Sequence, residues 1–478
     1  MLFNSIEFFI FLVLVYAIYW FAFSKNLKLQ NTFLLVVSYI FYGWWDWRFV
    51  FLLMLSTIID YTFGILIHTK KNKKLYLWLS IFNNLAVLGV FKYYNFFAHS
   101  FQDMVANIGF HVDPYFLAIV LPVGISFYTF HGMSYVFDIC RERSVPERNF
   151  VDYSLFVCFF PLLVAGPIER ASHLLPQVVK KRNFDYKQSV HGLRLMLWGM
   201  FKKVVIADGL APSVNSIYAD YSHMSGLSLL IGAFYFAFQI YADFSGYSDI
   251  ARGTAKLFGF ELLINFRFPY FSRDIAEFWR RWHISLSSWF RDYLYIPLGG
   301  SKNGLAKSVR NTFIIFIVSG FWHGANWTFI IWGALHALYF LPLLLGNKNR
   351  RNTGEIAPGR FLPGIREGFQ MLLTFGMVCL AWIFFRAANF SEAIHYISSI
   401  FTNKFRSGME VKQFIAPYVF PVIGFMLLIE WLSRNSDVDA FFDTISNKTL
   451  RYSTYFLIFF IILMFGSFQK ASFIYFQF

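Results

Sequence analysis

The sequence predicts an all-α polytopic integral membrane protein, and three observations predict it. The 478 residues are 57% hydrophobic and only 14% charged, whereas a soluble domain carries about 25% charged residues. Apolar runs of roughly 18 to 20 residues, the length with which a helix crosses the hydrocarbon core, recur along almost the whole chain. No polar stretch exceeds about 30 residues, and neither an internal repeat nor a low-complexity tract is present. The expectation is one integrated transmembrane domain over residues 1–478, with N-terminal spans in 1–150, a core in 151–345 and C-terminal spans in 346–478.

Taken in order, the first run, "MLFNSIEFFIFLVLVYAIYWFAF", carries Glu7 and lacks a basic n-region and a small-residue cleavage site. It reads as an uncleaved span and not as a signal peptide. Lys25 and Lys28 follow it, a nearly neutral turn with Arg48 follows the second span, Lys70 to Lys74 follow the third, and Arg141, Arg143 and Arg148 follow a fifth that starts near Tyr115. The positive-inside rule then alternates from an outside N-terminus. The same rule accounts for the net charge of +15: the cations are dispersed in short connections, which argues against nucleic acid as a partner.

The alternation fails at "YSLFVCFFPLLVAGPI", residues 153–168, which lies between two basic connections and contains Pro161, Gly166 and Pro167. A re-entrant or broken segment is expected, because non-helical backbone at membrane depth must be buried in protein or line a cavity. Later runs near 190–210, 225–243, 311–345, 369–387, 415–432 and 453–470 bring the count to about ten or eleven spans. Cys140, Cys158 and Cys379 lie in or beside apolar runs without CxxC spacing, so they read as packing residues and not as a disulfide framework or a zinc site.

Between residues 244 and 310 the apolar rhythm breaks and the chemistry concentrates. "YADFSGYSDIARG" places Asp243, Ser245, Tyr247, Asp249 and Arg252 close together, with Asp249 and Arg252 at i, i+3. "FSRDIAEFWRRWHISLSSWFRDYLYIPLGG" adds Arg273, Glu277 and Arg281 at successive i, i+4 spacing, then His283, Ser285 and Arg291. This stretch is too polar to face lipid, and its charges either staple the bundle in pairs or serve a site. Within "FIIFIVSGFWHGANWTFIIWGALHALYFLPLLL", read as one helix, thirteen residues at 1.5 Å carry the chain roughly 20 Å inward from Arg310 to His323. The imidazole is then near the middle of a core about 30 Å thick. Asn326, at i+3, falls on the same face, and His336 falls on nearly the opposite one. Phe321, Trp322 and Trp327 exclude water there, and a desolvated imidazole is neutral, the form a general base needs.

His131, His283, His323 and His336 show neither HExxH nor H-x-H spacing, so no metal is expected. No G-x-S-x-G elbow and no P-loop occurs. An intramembrane histidine that merely bonds a neighbouring helix is the bland alternative. A proton acceptor in a protein-lined channel is the functional reading. A secondary transporter and a non-catalytic membrane scaffold are readings of a different class, the first of which calls for paired repeats with broken helices.

At these residues the sequence resembles the membrane-bound O-acyltransferases. The combination of "YADFSGYSDIARG", "FWRRWHISLSSWFRDYLYIPLGG" and "FWHGANW" followed by "WGALHAL" carries the likeness, with "LPVGISFYTFHGMSYVFDIC" and "PLLVAGPIER" extending it over most of the chain. It looks most like the bacterial branch containing the alginate O-acetylation membrane protein, whose relatives serve peptidoglycan O-acetylation and D-alanylation of teichoic acids. The resemblance implies an oblique ring of helices around a central tunnel that joins a cytoplasmic donor side to an outer acceptor side. It makes His323 of the W-H-G motif the essential catalytic histidine and His283 of W-H-x-S-L-S its companion.

The resemblance further implies a multi-pass enzyme of the bacterial cytoplasmic (inner) membrane that binds no cofactor and takes an acyl thioester as donor, either acetyl-CoA or an acyl carrier protein. Arg280, Arg281, Arg291 and Lys302 are expected to meet its phosphates. Asn326, Trp322, Ser285, Asp243, Tyr247 and Asp249 complete the candidate substrate-binding set. His323 accepts the proton of an attacking hydroxyl or takes the acyl group itself, while His283 orients the thioester or polarises its carbonyl. The acceptor is an extracytoplasmic polysaccharide, as in alginate biosynthesis, or peptidoglycan or another wall polymer. Transfer is direct or runs through a separate extracytoplasmic O-acetyltransferase partner.

Overall fold

The computed structural model describes residues 1–302, 304–403, 417–468 and 473–474. Among these residues the regular structure is helical throughout, without a β-strand. The chain divides into two compact units, Met1–Tyr186 with Ala255–Leu263, and Lys187–Thr254 with Ile264–Phe478.

In the first unit, α1 (Ile6–Ala17) begins where Ser5 Oγ accepts the Phe8 N–H and runs on into a π-helical turn, Ile18–Ala22. Asn26 caps α2 (Leu27–Gly43) in the same way. The connection to α3 (Arg48–Thr69) is a four-residue aromatic turn. α4 (Lys73–Leu88) continues through a π-turn, Gly89–Tyr93, into α5 (Tyr94–Asn107). The expected start of the fifth span near Tyr115 is not where the helix begins: α6 covers Ile125–Cys140. Pro114 and Pro122 explain the delay, since each lacks an N–H and disfavours helix in the residue before it. Gly124 starts α6 at φ +74, and a Cβ there would lie 1.9 Å from the Leu163 carbonyl oxygen, so no other residue fits.

The segment 153–168 is broken as the sequence suggested. α7 (Phe150–Cys158) ends at Phe159, whose ψ of 115° interrupts the helix, and α8 is a single turn, Phe160–Leu163. Nine residues rise only about 14 Å, less than half the hydrocarbon thickness. Residues 153–169 are all buried, and α7 packs on α2, α3 and α9 (Ala171–Val179).

The second unit contains most of α10 (Tyr186–Met200), which passes through a π-helical segment, Phe201–Ala207, into α11 (Asp208–Ala219). α12 (Gly226–Leu257) is 32 residues long, mostly buried, and its last turn belongs to the first unit. After two short helices, α13 (Ile275–Arg281) and α14 (Ile284–Phe290), come α15 (Leu305–His323) and α16 (Trp327–Leu345). The stretch 311–345 is therefore not one span. It turns back at Gly324–Asn326 into a tightly packed helical hairpin. α17 (Ile365–Arg386) packs on α16, followed by α18 (Phe390–Thr402), α19 (Val419–Leu432), α20 (Val438–Thr444) and α21 (Lys448–Phe465).

Among the described residues six helices are long and apolar enough to cross a membrane: α3, α4 with α5, α12, α16, α17 and α21. Ile6–Ala22 and Val419–Leu432 are apolar but shorter. The chain is a multi-pass membrane protein. The first, second and fifth apolar runs and those near 190–210 and 415–432 fold as α-helices of 12 to 17 residues, which explains why more apolar runs exist than long helices.

Candidate active site

The hairpin places His323. It is the last residue of α15, and Gly324 leaves the helix in extended backbone at φ −160 and ψ 153. The two helices approach closely because Gly320 and Gly333 face each other's partner backbone: a Cβ would fall 2.2 Å from the Phe329 carbonyl oxygen at Gly320 and 2.2 Å from that of Phe316 at Gly333. His323 is 3% exposed. Its ring meets the Trp332 indole edge-on at 5.1 Å and Phe385 at 5.4 Å, with Trp322 at 4.9 Å. Trp332 stacks on Trp382 at 5.6 Å, and Trp282 meets Trp382 at 5.0 Å. All three indoles are fully buried, which keeps water from the imidazole.

His283 lies 6.3 Å from His323, centroid to centroid. It precedes α14 with φ +43 and ψ 54, a left-handed conformation uncommon outside glycine, although histidine enters it more readily than most residues. Phe244 meets its ring edge-on at 4.6 Å. The residue that holds it is Asn265, in the irregular segment before α13. Asn265 Oδ1 accepts from His283 Nδ1 (3.0 Å), from Ser285 Oγ (2.9 Å) and from the Ser285 backbone N–H (3.3 Å). The Asn265 carbonyl accepts from the Ile284 N–H at 2.9 Å, and Asn265 Nδ2 donates to Ser248 Oγ at 3.2 Å. Burial pushes the His283 imidazole down to about 3, so it is neutral at pH 7.

Asn265 was invisible to sequence reading, since it sits in no periodic element and no motif spacing singles it out. Ser285 joins the site through it. Trp322 packs on His323 and stands 5.9 Å from His283.

Asn326 is elsewhere occupied. Because the helix breaks, it does not share a face with His323; it caps α16 through the Thr328 N–H and donates to the Ala388 carbonyl. His336 is likewise not on an opposite face. It is fully buried, accepts from Trp279 Nε1 at 3.3 Å and packs 4.8 Å from Trp332, one ring away from His323. Both expectations rested on a continuous helix that Gly324 ends.

The polar residues of α12 form a separate ionic cluster. Asp243 pairs with Lys203 at 2.7 Å and accepts the Ile474 N–H, and Lys203 also holds Asp208. Asp249 takes Lys202 at 2.6 Å and Arg252 at 3.7 Å. Tyr247 packs on Phe473. Lys202 and Lys203, in the π-helical segment, were not singled out in the sequence. Arg273 and Arg281 both pair with Glu277, as their spacing suggested.

Arg280 is exposed and donates to the carbonyls of Asn349 and Asn352. With Arg281, Arg267 and Arg434 it lines a groove of about 420 Å³. Arg291 pairs with the neighbouring Asp292 and lines a larger cavity of about 670 Å³, with Arg350 and Trp279.

Two buried imidazoles thus lie side by side in an aromatic enclosure within a multi-pass bundle. The chain belongs to the membrane-bound O-acyltransferase family, whose model matches residues 141–380. It is 38% identical over 84% of its length to a probable alginate O-acetylase AlgI of Azotobacter vinelandii, covering 78% of that protein. It is 34% identical over 79% of its length to a peptidoglycan O-acetyltransferase of Helicobacter pylori, covering 75% of it. A teichoic acid D-alanyltransferase of Streptococcus thermophilus is 28% identical over 61% of the chain, which covers 75% of that protein. The chain is thus a membrane-bound O-acyltransferase, and the transporter and scaffold readings fall away.

Proposed function

We propose that this enzyme moves an acetyl group from acetyl-CoA at the cytoplasmic face of the bacterial inner membrane to the hydroxyl of an extracytoplasmic polysaccharide, directly or through a partner acetyltransferase. The observation that carries the reading is the His323–His283 pair, two buried imidazoles with ring centroids 6.3 Å apart, one at the end of α15 and the other at the start of α14. In the reaction the hydroxyl oxygen bonds the thioester carbon, the C–S bond breaks, His323 takes the hydroxyl proton and the thiolate recovers a proton as it leaves. His283 orients the reactants. The cavity of about 670 Å³ suits a phosphorylated donor with a long arm: Arg291 and Arg350 offer forked cation donors, and Phe316 and Trp279 an apolar wall. Contact runs from it to the centre through Trp279, His336, Trp332 and His323.

An alginate-like polymer is favoured by the similarity to the alginate O-acetylases, and peptidoglycan by the similarity to the Helicobacter enzyme. The basic connections at Lys70–Lys74 and Arg141–Arg148 are cytoplasmic in this reading, and the N-terminus is outside. The test offers the purified protein two radiolabelled donors, acetyl-CoA and an acetylated carrier protein. Release or transfer of label from acetyl-CoA is expected. Turnover of the carrier-bound acetyl group alone overturns the donor assignment.

A further inference from the structure

We infer that Asn265 is a positioning residue that holds His283 in a single tautomer, with the proton on Nδ1 and a bare lone pair on Nε2. The inference rests on the reading that acyl transfer takes place at the histidine pair. A neutral imidazole carries one N–H, and which nitrogen holds it is set by the partner of the other. Here the partner is fixed by the backbone. The Ser285 main-chain N–H is a donor under all conditions and points at the same Asn265 atom as His283 Nδ1. That atom must therefore be the amide oxygen. The Asn265 amide nitrogen is correspondingly directed to Ser248 Oγ at 3.2 Å. An amide oxygen has only lone pairs to offer, so His283 Nδ1 must bring the hydrogen.

The local backbone is built around this contact. The left-handed conformation of His283 turns the chain so that the Ile284 N–H reaches the Asn265 carbonyl while the Ser285 N–H reaches its side chain. Strain of this kind persists where surrounding bonds over-determine it. Asn265 is 1% exposed and His283 0%, so water does not compete for either group.

The consequence is at the other nitrogen. His283 Nε2 is buried and has no hydrogen-bond partner among the described residues. It is an acceptor with nothing to accept, on a ring 6.3 Å from that of His323. The group it meets among the reactants therefore carries hydrogen, an N–H or an O–H. A carbonyl oxygen is not its partner, so His283 orients by accepting and does not polarise the thioester.

The test combines spectroscopy with kinetics. In protein labelled with 15N-histidine and held in nanodiscs, the His283 signals, assigned by their loss in His283→Gln, are expected to show the Nδ1–H tautomer without any donor present. An Nε2–H tautomer in the wild type overturns the inference and leaves the proposed function untouched. Asn265→Asp keeps an acceptor oxygen for both hydrogens and is expected to keep the tautomer and most of the activity. Asn265→Ala is expected to mix the tautomers and to lower kcat about tenfold or more with KM little changed, because geometry and not donor binding is lost. Full kcat in Asn265→Ala with mixed tautomers overturns the positioning role. Should the alanine variant not accumulate, the wild type and Asn265→Asp still decide.

Discussion

Two imidazoles share one aromatic enclosure, yet their local surroundings differ. His323 is a helix-terminal residue whose ring is held by packing against Trp332, Phe385 and Trp322. His283 is held by hydrogen bonds to Asn265 and by a strained backbone. A group held by shape can change its protonation with little rearrangement, which suits a proton acceptor. One fixed through its second nitrogen keeps its orientation through the cycle. The depressed pKa of His283 gives a pH prediction. A free histidine titrates near 6.5, whereas burial lowers this one to about 3. Between those values the unfolded chain binds the proton and the folded one does not, so stability contributed by the neutral form is complete above pH ~6.5 and falls as the pH drops toward ~3. Thermal unfolding in detergent is expected to give a midpoint that is level from pH 7 to 8 and declines below about 6; a midpoint that rises on acidification contradicts a buried neutral His283.

At the scale of elements, the α15–α16 hairpin decides where the chemistry sits. Its packing depends on backbones in contact at Gly320 and Gly333. A methyl at Gly320 overlaps the Phe329 carbonyl, so Gly320→Ala is expected to destabilise by about 1–3 kcal/mol and to displace His323. Gly376 in α17 has open space where its Cβ would go, and Gly376→Ala is expected to be neutral or to stabilise by about 0.5–1 kcal/mol through helix propensity. Comparing the two melting curves checks this. Equal behaviour would refute the close approach.

The hairpin is also where sequence reading lost the thread. Hydropathy is continuous from Phe313 to Leu345, and a turn of three residues between buried helices needs no polar loop. The break could be read only from Gly324 and from Asn326 as an N-cap. The broken segment at 153–168, by contrast, was legible because Pro161 and Pro167 interrupt it and the charge alternation fails around it. His323 and His283 were legible from their motifs, and the ion pairs of Glu277 from i, i+4 spacing. Asn265 was not, since its role comes from tertiary contact in a segment without period.

For the whole molecule, composition alone settles the solvent: a chain with 14% charged residues and, among its described residues, six long apolar helices is solvated mainly by lipid. The two compact units divide the labour. The first holds the buried, broken α7–α8 segment, and the second holds the histidine pair, the ionic cluster on α12 and both arginine-lined cavities. Substrate choice is the property least written in the sequence, because the similarities reach alginate and peptidoglycan acetylases with nearly equal identity.

The central claim is that acyl transfer depends on His323. Its most direct test is the rate of label transfer from acetyl-CoA by purified wild type beside His323→Ala, both monodisperse on size exclusion. A general base contributes about 10²- to 10⁴-fold, so the variant is predicted to lose at least two orders of magnitude while eluting as the wild type does. Equal rates from two equally folded proteins would contradict the account.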